Sequence, residues 1–83
     1  MKLLYFAWVR QRTGIGEETV DLPEAVTTVS ELMTWLSSRD EGYESAFANP
    51  KLIRAAIDQQ HVDLEAPIGS AREVAFFPPV TGG

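Results

Sequence analysis

The sequence ends on Gly82-Gly83, which sets an α-carboxylate on two residues without side chains and makes that group the best candidate for a reactive centre. Average glycine usage of roughly 7% produces two terminal glycines in about one chain in 200. The pair alone is therefore as compatible with a frayed end or an appended cloning remnant as with function. The residues ahead of it are more informative. Glu73-Val74-Ala75-Phe76-Phe77 reads as a strand, and Pro78-Pro79 ends it, because proline has no N–H to give to a sheet ladder. Both prolines fix their own φ and Pro79 drives Pro78 extended, so Pro78, Pro79, Val80, Thr81, Gly82 and Gly83 form a tail that projects from a domain of residues 1–77. Six residues reach at most about 20 Å, enough to carry the Gly83 carboxylate into a deep pocket of another protein. Glycine suits that end: it has no Cβ to obstruct a narrow channel and takes backbone angles denied to other residues.

The other residue types narrow the chemistry by exclusion. There is no cysteine, which removes disulfides, zinc–thiolate sites and cysteine nucleophiles. His61 is the single histidine, so no histidine cluster for a metal exists, and a solvated turn residue is its plainer reading. Gly14-Ile15-Gly16 lacks the third glycine of a dinucleotide fingerprint and reads as a loop. Asp40, Glu41 and Glu44 read as solvated surface. The formal charge of −5 opposes nucleic-acid binding, which needs a basic footprint. No apolar run is long enough for a membrane span and the Met1-Lys2 start lacks a signal-peptide pattern, so the expected location is the cytoplasm. Eighty-three residues make one small module.

The elements that must position the tail follow from periodicity. Residues 2–10, Lys2-Leu3-Leu4-Tyr5-Phe6-Ala7-Trp8-Val9-Arg10, are rich in aromatic and branched side chains and read as one strand. Gly14 and Gly16 mark a long turn, and Glu18-Thr19-Val20-Asp21-Leu22 alternates until Pro23 stops it. Val29, Leu32, Met33 and Leu36 recur at i, i+3, i+4 and i+7 behind a Thr28/Glu31 capping box, which predicts the one main helix. Residues 40–48 form a polar connection with room for a short turn around Tyr43 and Phe47. Residues 52–57 and 62–64 read as strands around an Asp58-Gln59-Gln60 turn, and Gly69-Ser70 precedes the last strand. This order, ββαβ(β)β, is an α+β two-layer domain: a mixed sheet of four or five strands with a helix on one face.

One helix layer leaves the other face open. Alternation turns Leu3, Tyr5, Ala7 and Val9 toward the helix and puts Lys2, Leu4, Phe6, Trp8 and Arg10 on the open face. In the last strand Val74 and Phe76 turn inward while Ala75 and Phe77 face out. Leu4, Phe6, Trp8, Ala75 and Phe77 would then form an apolar patch at the root of the tail, to be covered by a partner, a second copy or the segment around Tyr43 and Phe47.

Three stretches carry a resemblance: Val74-Ala75-Phe76-Phe77-Pro78-Pro79-Val80-Thr81-Gly82-Gly83, the opening Leu4-Tyr5-Phe6-Ala7 with Val9-Arg10, and Lys51-Leu52 through Ile57. Together they resemble the small, sulfur-carrier subunit of molybdopterin synthase (molybdopterin converting factor subunit 1) across essentially the whole chain. That resemblance implies a β-grasp, ubiquitin-like fold with a free C-terminal tail. It implies that Gly83 is adenylated by an activating adenylyltransferase using ATP and Mg²⁺, then converted to a thiocarboxylate, with no cofactor bound permanently. It implies that two small subunits dock on a dimeric large subunit and give their sulfur to cyclic pyranopterin monophosphate, the catalytic side chains being the large subunit's. The docking residues on this reading are Phe6, Phe77, Leu4, Trp8 and Ala75, with His61 at a turn position that is often apolar in the family. Lacking cysteine, the chain has no thiol of its own to intercept the activated terminus. A bare diglycine is shared with carriers for thiamine and tRNA thiolation and with ubiquitin-like modifiers, and a binding module with an inert tail remains an alternative; the longer Phe76-to-Gly83 run is what favours molybdopterin.

Overall fold

The computed structural model describes residues 1–79; Val80, Thr81, Gly82 and Gly83 lie outside the described residues. Strands β1 (Lys2–Tyr5), β2 (Glu17–Thr19), β3 (Arg54–Ile57), β4 (Gln60–Val62) and β5 (Glu73–Phe77) form one sheet in the order β2-β1-β5-β3-β4. β1 and β5 run parallel and the other neighbours antiparallel. Helices α1 (Ala7–Thr13), α2 (Val29–Ser37) and α3 (Glu41–Ala46) and a 3₁₀ turn at Pro50–Leu52 complete the domain.

Helix α2 forms as its sequence predicts. The Thr28 hydroxyl accepts from the Glu31 N–H, and the Glu31 carboxylate accepts from the Thr28 N–H, satisfying donors that a helix start leaves unpaired. Two further first-turn donors, Val29 and Ser30, are taken by the Ala66 and Leu64 carbonyls. Val29, Leu32, Met33 and Leu36 are all buried.

The opening segment departs from expectation. The strand stops at Tyr5 because Ala7 takes a left-handed φ of 53°, which no strand accommodates, and the chain turns directly into α1. Helix α1 ends at Gly14, whose φ of 86° lets its N–H cap the Arg10 carbonyl. The expected inward set is thus half right: Leu3 and Tyr5 are buried from the strand and Val9 from the helix, but Ala7 is exposed. Trp8 is likewise not on the open sheet face. It lies on α1, half-buried against the core, with the Arg12 guanidinium 4.9 Å from its ring centre.

The core lies between the sheet's inner face and the helices. Tyr5 stacks on Phe76 with centroids 6.1 Å apart, and Phe47 meets Phe76 edge-on at 4.9 Å. Tyr43 and Phe47 therefore fill the inner layer and do not cover the open face. Helix α3 approaches α1 closely at Gly42, where a Cβ would sit 2.6 Å from the Arg12 carbonyl oxygen. Asp40, expected only as solvated surface, caps α3 by accepting from the Tyr43 N–H at 3.1 Å.

Glu18 fastens β2 to the helix layer. Its carboxylate accepts from the Tyr5 hydroxyl at 2.8 Å, the Tyr43 hydroxyl at 2.5 Å and the Arg39 guanidinium at 3.0 Å. Partial burial alone would raise the Glu18 carboxyl, but the bonds from Tyr43, Tyr5 and Arg39 outweigh it and hold the group below its usual range. Burial, followed by the bond to Glu18, pushes the Tyr5 hydroxyl far above the phenol range and Tyr43 up to about 12. The depressed carboxyl stabilises the fold above its unfolded titration range, and this contribution is lost as pH falls through its folded value. The raised tyrosines stabilise it below their ordinary value of 10.0, and theirs is lost as pH rises toward about 12. Glu18→Gln is expected to cost about 1.5–3 kcal/mol at neutral pH by urea denaturation. The gap from wild type should narrow below about pH 4 as the native carboxyl protonates.

Candidate functional site

The tail is rooted on the middle strand of the sheet. β5 is bonded to β1 on one side and β3 on the other, and the Asp58 carboxylate pins its start by accepting from the Arg72 and Glu73 N–H groups at 3.0 Å each. At its far end the Phe6 N–H donates to the Phe76 carbonyl at 3.0 Å. Phe77 and then the half-buried Pro78 and Pro79 follow, leading to residues 80–83. The interior position fixes where the chain leaves the sheet.

Alternation along β5 divides its aromatic pair. Phe76 is fully buried with Tyr5 and Phe47, while Phe77 faces the side that carries no helix. Register places Leu4, Ala75, Ala56 and His61 in one row across that open face, with Phe77 and Arg54 opposite each other in the next. Leu4, Ala75 and Phe77 thus share a face as expected, although Ala75 is itself buried beneath its neighbours. His61 joins them. The two-residue turn is Asp58-Gln59, both with positive φ, so His61 belongs to β4 instead of a turn, and its ring lies 5.1 Å from that of Phe77. Phe6 stands just past β1 at the same end, 49% exposed.

Sequence reasoning missed three contributors at this end of the sheet. Leu52, 48% exposed, lies two residues before Arg54 and so beside the Phe77 register pair. Ile15, 39% exposed, precedes Gly16, whose carbonyl accepts the Tyr5 N–H at 2.9 Å. Arg54 is held near the tail root by its own donations to the Lys51 and Ile53 carbonyls. Phe6, Ile15 and Leu52 are the exposed large hydrophobics among the described residues, and all three lie at the end from which the tail leaves. The available signal was Ile15 between two glycines; Leu52, expected to open the strand over 52–57, instead ends the 3₁₀ turn Pro50–Leu52, and the strand starts at Arg54.

Among the described residues no charged side chain is buried, and no group of three potential ligands could hold a metal ion. A groove of about 530 Å³ lined by Met1, Val20, Pro23 and Ile68 lies at the opposite end of the sheet from the tail root. No helix among the described residues is long and apolar enough to cross a membrane.

The profile of the ThiS family matches residues 3–83, almost the entire chain. The chain belongs to the ThiS family. Within reach of this ThiS-family chain are two relatives called molybdopterin synthase sulfur carrier subunit. The Escherichia coli (strain K12) protein is 35% identical, with 100% of this chain and 99% of the relative covered. The Haemophilus influenzae protein is 31% identical over the same shares. Among solved structures, SAMP1 from Haloferax volcanii superposes with a TM-score of 0.74, covering 100% of this chain and 98% of its own at 24% identity. That likeness concerns the backbone alone, and it agrees with the ubiquitin-like β-grasp architecture expected from the sequence.

The split of the aromatic pair is directly measurable. Phe76→Ala is expected to cost about 3–5 kcal/mol in chemical denaturation, as for a fully buried aromatic. Phe77→Ala should cost below about 1 kcal/mol, because part of its ring is already in water. Equal losses would place Phe77 in the core.

Proposed function

We propose that this chain is the sulfur-carrier subunit of a molybdopterin synthase and works through the Gly83 carboxylate. The observation that carries the reading is that its similarity to carrier subunits runs the full length of both chains, so the Phe76-to-Gly83 segment belongs to the shared region. A carboxylate is a poor electrophile and must first be activated. In the proposed cycle, a Gly83 carboxylate oxygen attacks the α-phosphate of ATP on an adenylyltransferase that supplies Mg²⁺, and pyrophosphate leaves. A persulfide sulfur displaces AMP from the acyl-adenylate, giving an acyl disulfide. A donor thiol then cleaves the S–S bond, releasing a thiocarboxylate on Gly83 and a disulfide on the donor. The thiocarboxylate, anionic and nucleophilic at neutral pH, delivers sulfur to cyclic pyranopterin monophosphate in the large subunit's pocket, toward the dithiolene that binds molybdenum.

The geometry of residues 1–79 supports docking more than chemistry. Ordering Val80 through Gly83 costs on the order of 4–8 kcal/mol at 1–2 per residue. Burial of Phe6, Phe77 and Val80 against a partner offsets it, at roughly 1.5–3 kcal/mol for each large side chain. Leu4 and His61 extend that contact, and Pro78-Pro79 hold the departing chain extended so that less remains to be ordered.

The test uses the whole chain with its adenylyltransferase, ATP, Mg²⁺ and a persulfide donor. Intact mass should show exchange of one oxygen for sulfur at Gly83, and the product should support dithiolene formation by the large subunit. Deleting Gly83 is expected to abolish both while leaving thermal stability and large-subunit binding unchanged. Sulfur transfer by the truncated chain at the wild-type rate would overturn the mechanism.

A further inference from the structure

An activated carboxylate acylates an amine that reaches it, so the amines of this chain bear on the fate of its own terminus. The sequence holds three: the Met1 terminus, Lys2 and Lys51. The first two lie at the far end of the sheet. The Met1 ammonium donates to the Val20 carbonyl at 3.2 Å, and Lys2 is paired with Glu17 at 3.4 Å and stands opposite Glu73, where β5 starts. The strand from Glu73 to Phe77, about 13 Å long at 3.3 Å per residue, separates that start from the tail root.

Lys51 is placed differently. β3 runs antiparallel to β5 with Arg54 opposite Phe77, so the residues ahead of Arg54 extend past the end of β5, on the side toward which the chain leaves. Lys51 is exposed there, in the 3₁₀ turn Pro50–Leu52. Its backbone is held from two sides: the Asn49 side-chain oxygen accepts from the Lys51 N–H at 3.2 Å, and the Arg54 guanidinium donates to the Lys51 carbonyl at 3.3 Å. Three Cα steps of about 3.8 Å and one strand spacing of about 5 Å put the Lys51 Cα within about 17 Å of the Phe77 Cα. Residues 78–83 reach about 20 Å, before the lysine side chain adds its own length. The reach exceeds the gap, so closure requires no change in the domain. A tether this short sets the effective concentration of the amine at the terminus on the order of mM, above that of a second copy in dilute solution.

We infer that Lys51 is a self-acylation site: an acyl-adenylate of Gly83 that leaves the adenylyltransferase before sulfur reaches it is closed by the Lys51 amine into an isopeptide ring. The inference rests on the activation of Gly83 proposed above. The Lys51 Nζ lone pair attacks the Gly83 carbonyl carbon, the bond from that carbon to the adenylate oxygen breaks, AMP leaves with the electron pair, and the nitrogen gives one proton to solvent. Relative to the free chain the product lacks one water, while ATP has become AMP and pyrophosphate. The ringed chain has no carboxylate at Gly83 to take sulfur, so premature release withdraws it from the cycle.

The test incubates the full chain, in excess over its adenylyltransferase, with ATP and Mg²⁺ and no sulfur donor, and follows intact mass. A monomer lighter by one water is expected. Trypsin should release from it a branched peptide joining residues 40–54 to residues 73–83, since an acylated lysine is not cleaved. Lys51→Arg should lose this species and Lys2→Arg should retain it. Both variants should match wild type in thermal denaturation and in gaining sulfur at Gly83 when the persulfide donor is supplied. Two results overturn the inference while the carrier reading stands: sulfur gained with the donor but no ringed monomer without it, or a ring of equal yield in Lys51→Arg. If the chain neither closes nor gains sulfur, the carrier reading falls and this inference with it.

Discussion

The pairing of β5 on both edges is the constraint on which the rest of the structure depends. An edge strand could fray and let its C-terminal extension wander, but β5 is laddered to β1 and β3 along its length, and the Asp58 carboxylate holds its first residues. The side-chain period of two then makes the division between Phe76 and Phe77 unavoidable. One ring is locked into the stack with Tyr5 and Phe47, and the next is turned to the open face beside His61. A rigid root and an exposed anchor thus come from a single strand in a single register, and a one-residue slip would exchange them.

The helix layer serves that strand from one side only. Val9 of α1, the apolar row of α2 and Phe47 beyond α3 bury the inner face, and Gly42 allows α3 to approach α1 closely enough to close the layer. Glu18 holds the edge strand β2 to the same layer through two tyrosines and Arg39. With cover concentrated there, the opposite face keeps Leu4, Phe77 and His61 available, and Phe6, Ile15 and Leu52 ring the end from which the tail departs. This asymmetry sets a close-packed interior on one side of the sheet against an uncovered face on the other.

Much of the candidate site was legible in the chain. The proline stop, the facing of Ala75 and Phe77, and the placement of Leu4 all follow from local rules of alternation and backbone restriction. Trp8 and His61 were read less well, for related reasons. The aromatic and branched composition of residues 2–10 suits a strand throughout, and the switch into α1 rests on a left-handed alanine, a conformation that composition does not announce. His61 was assigned to a turn because Asp58-Gln59-Gln60 looks like one; the actual two-residue turn uses positive φ at Asp58 and Gln59 without any glycine. Ile15 and Leu52 are single apolar residues in connections, and only their spatial convergence on the tail root gives them meaning.

What the sequence determined by itself was the set of locally encoded features: the capped helix α2, the polarity of the last strand and the proline stop that ends it. Each depends on interactions within a few residues, so each survives any packing arrangement. The tertiary structure alone decided that β5 lies in the middle of the sheet, that Glu18 gathers Tyr5, Tyr43 and Arg39, and that Arg10 rests over Gly16 beside Phe6. Those contacts join residues distant in the chain or depend on the αL turn at Ala7. They are set by which surfaces the whole fold can bury at once.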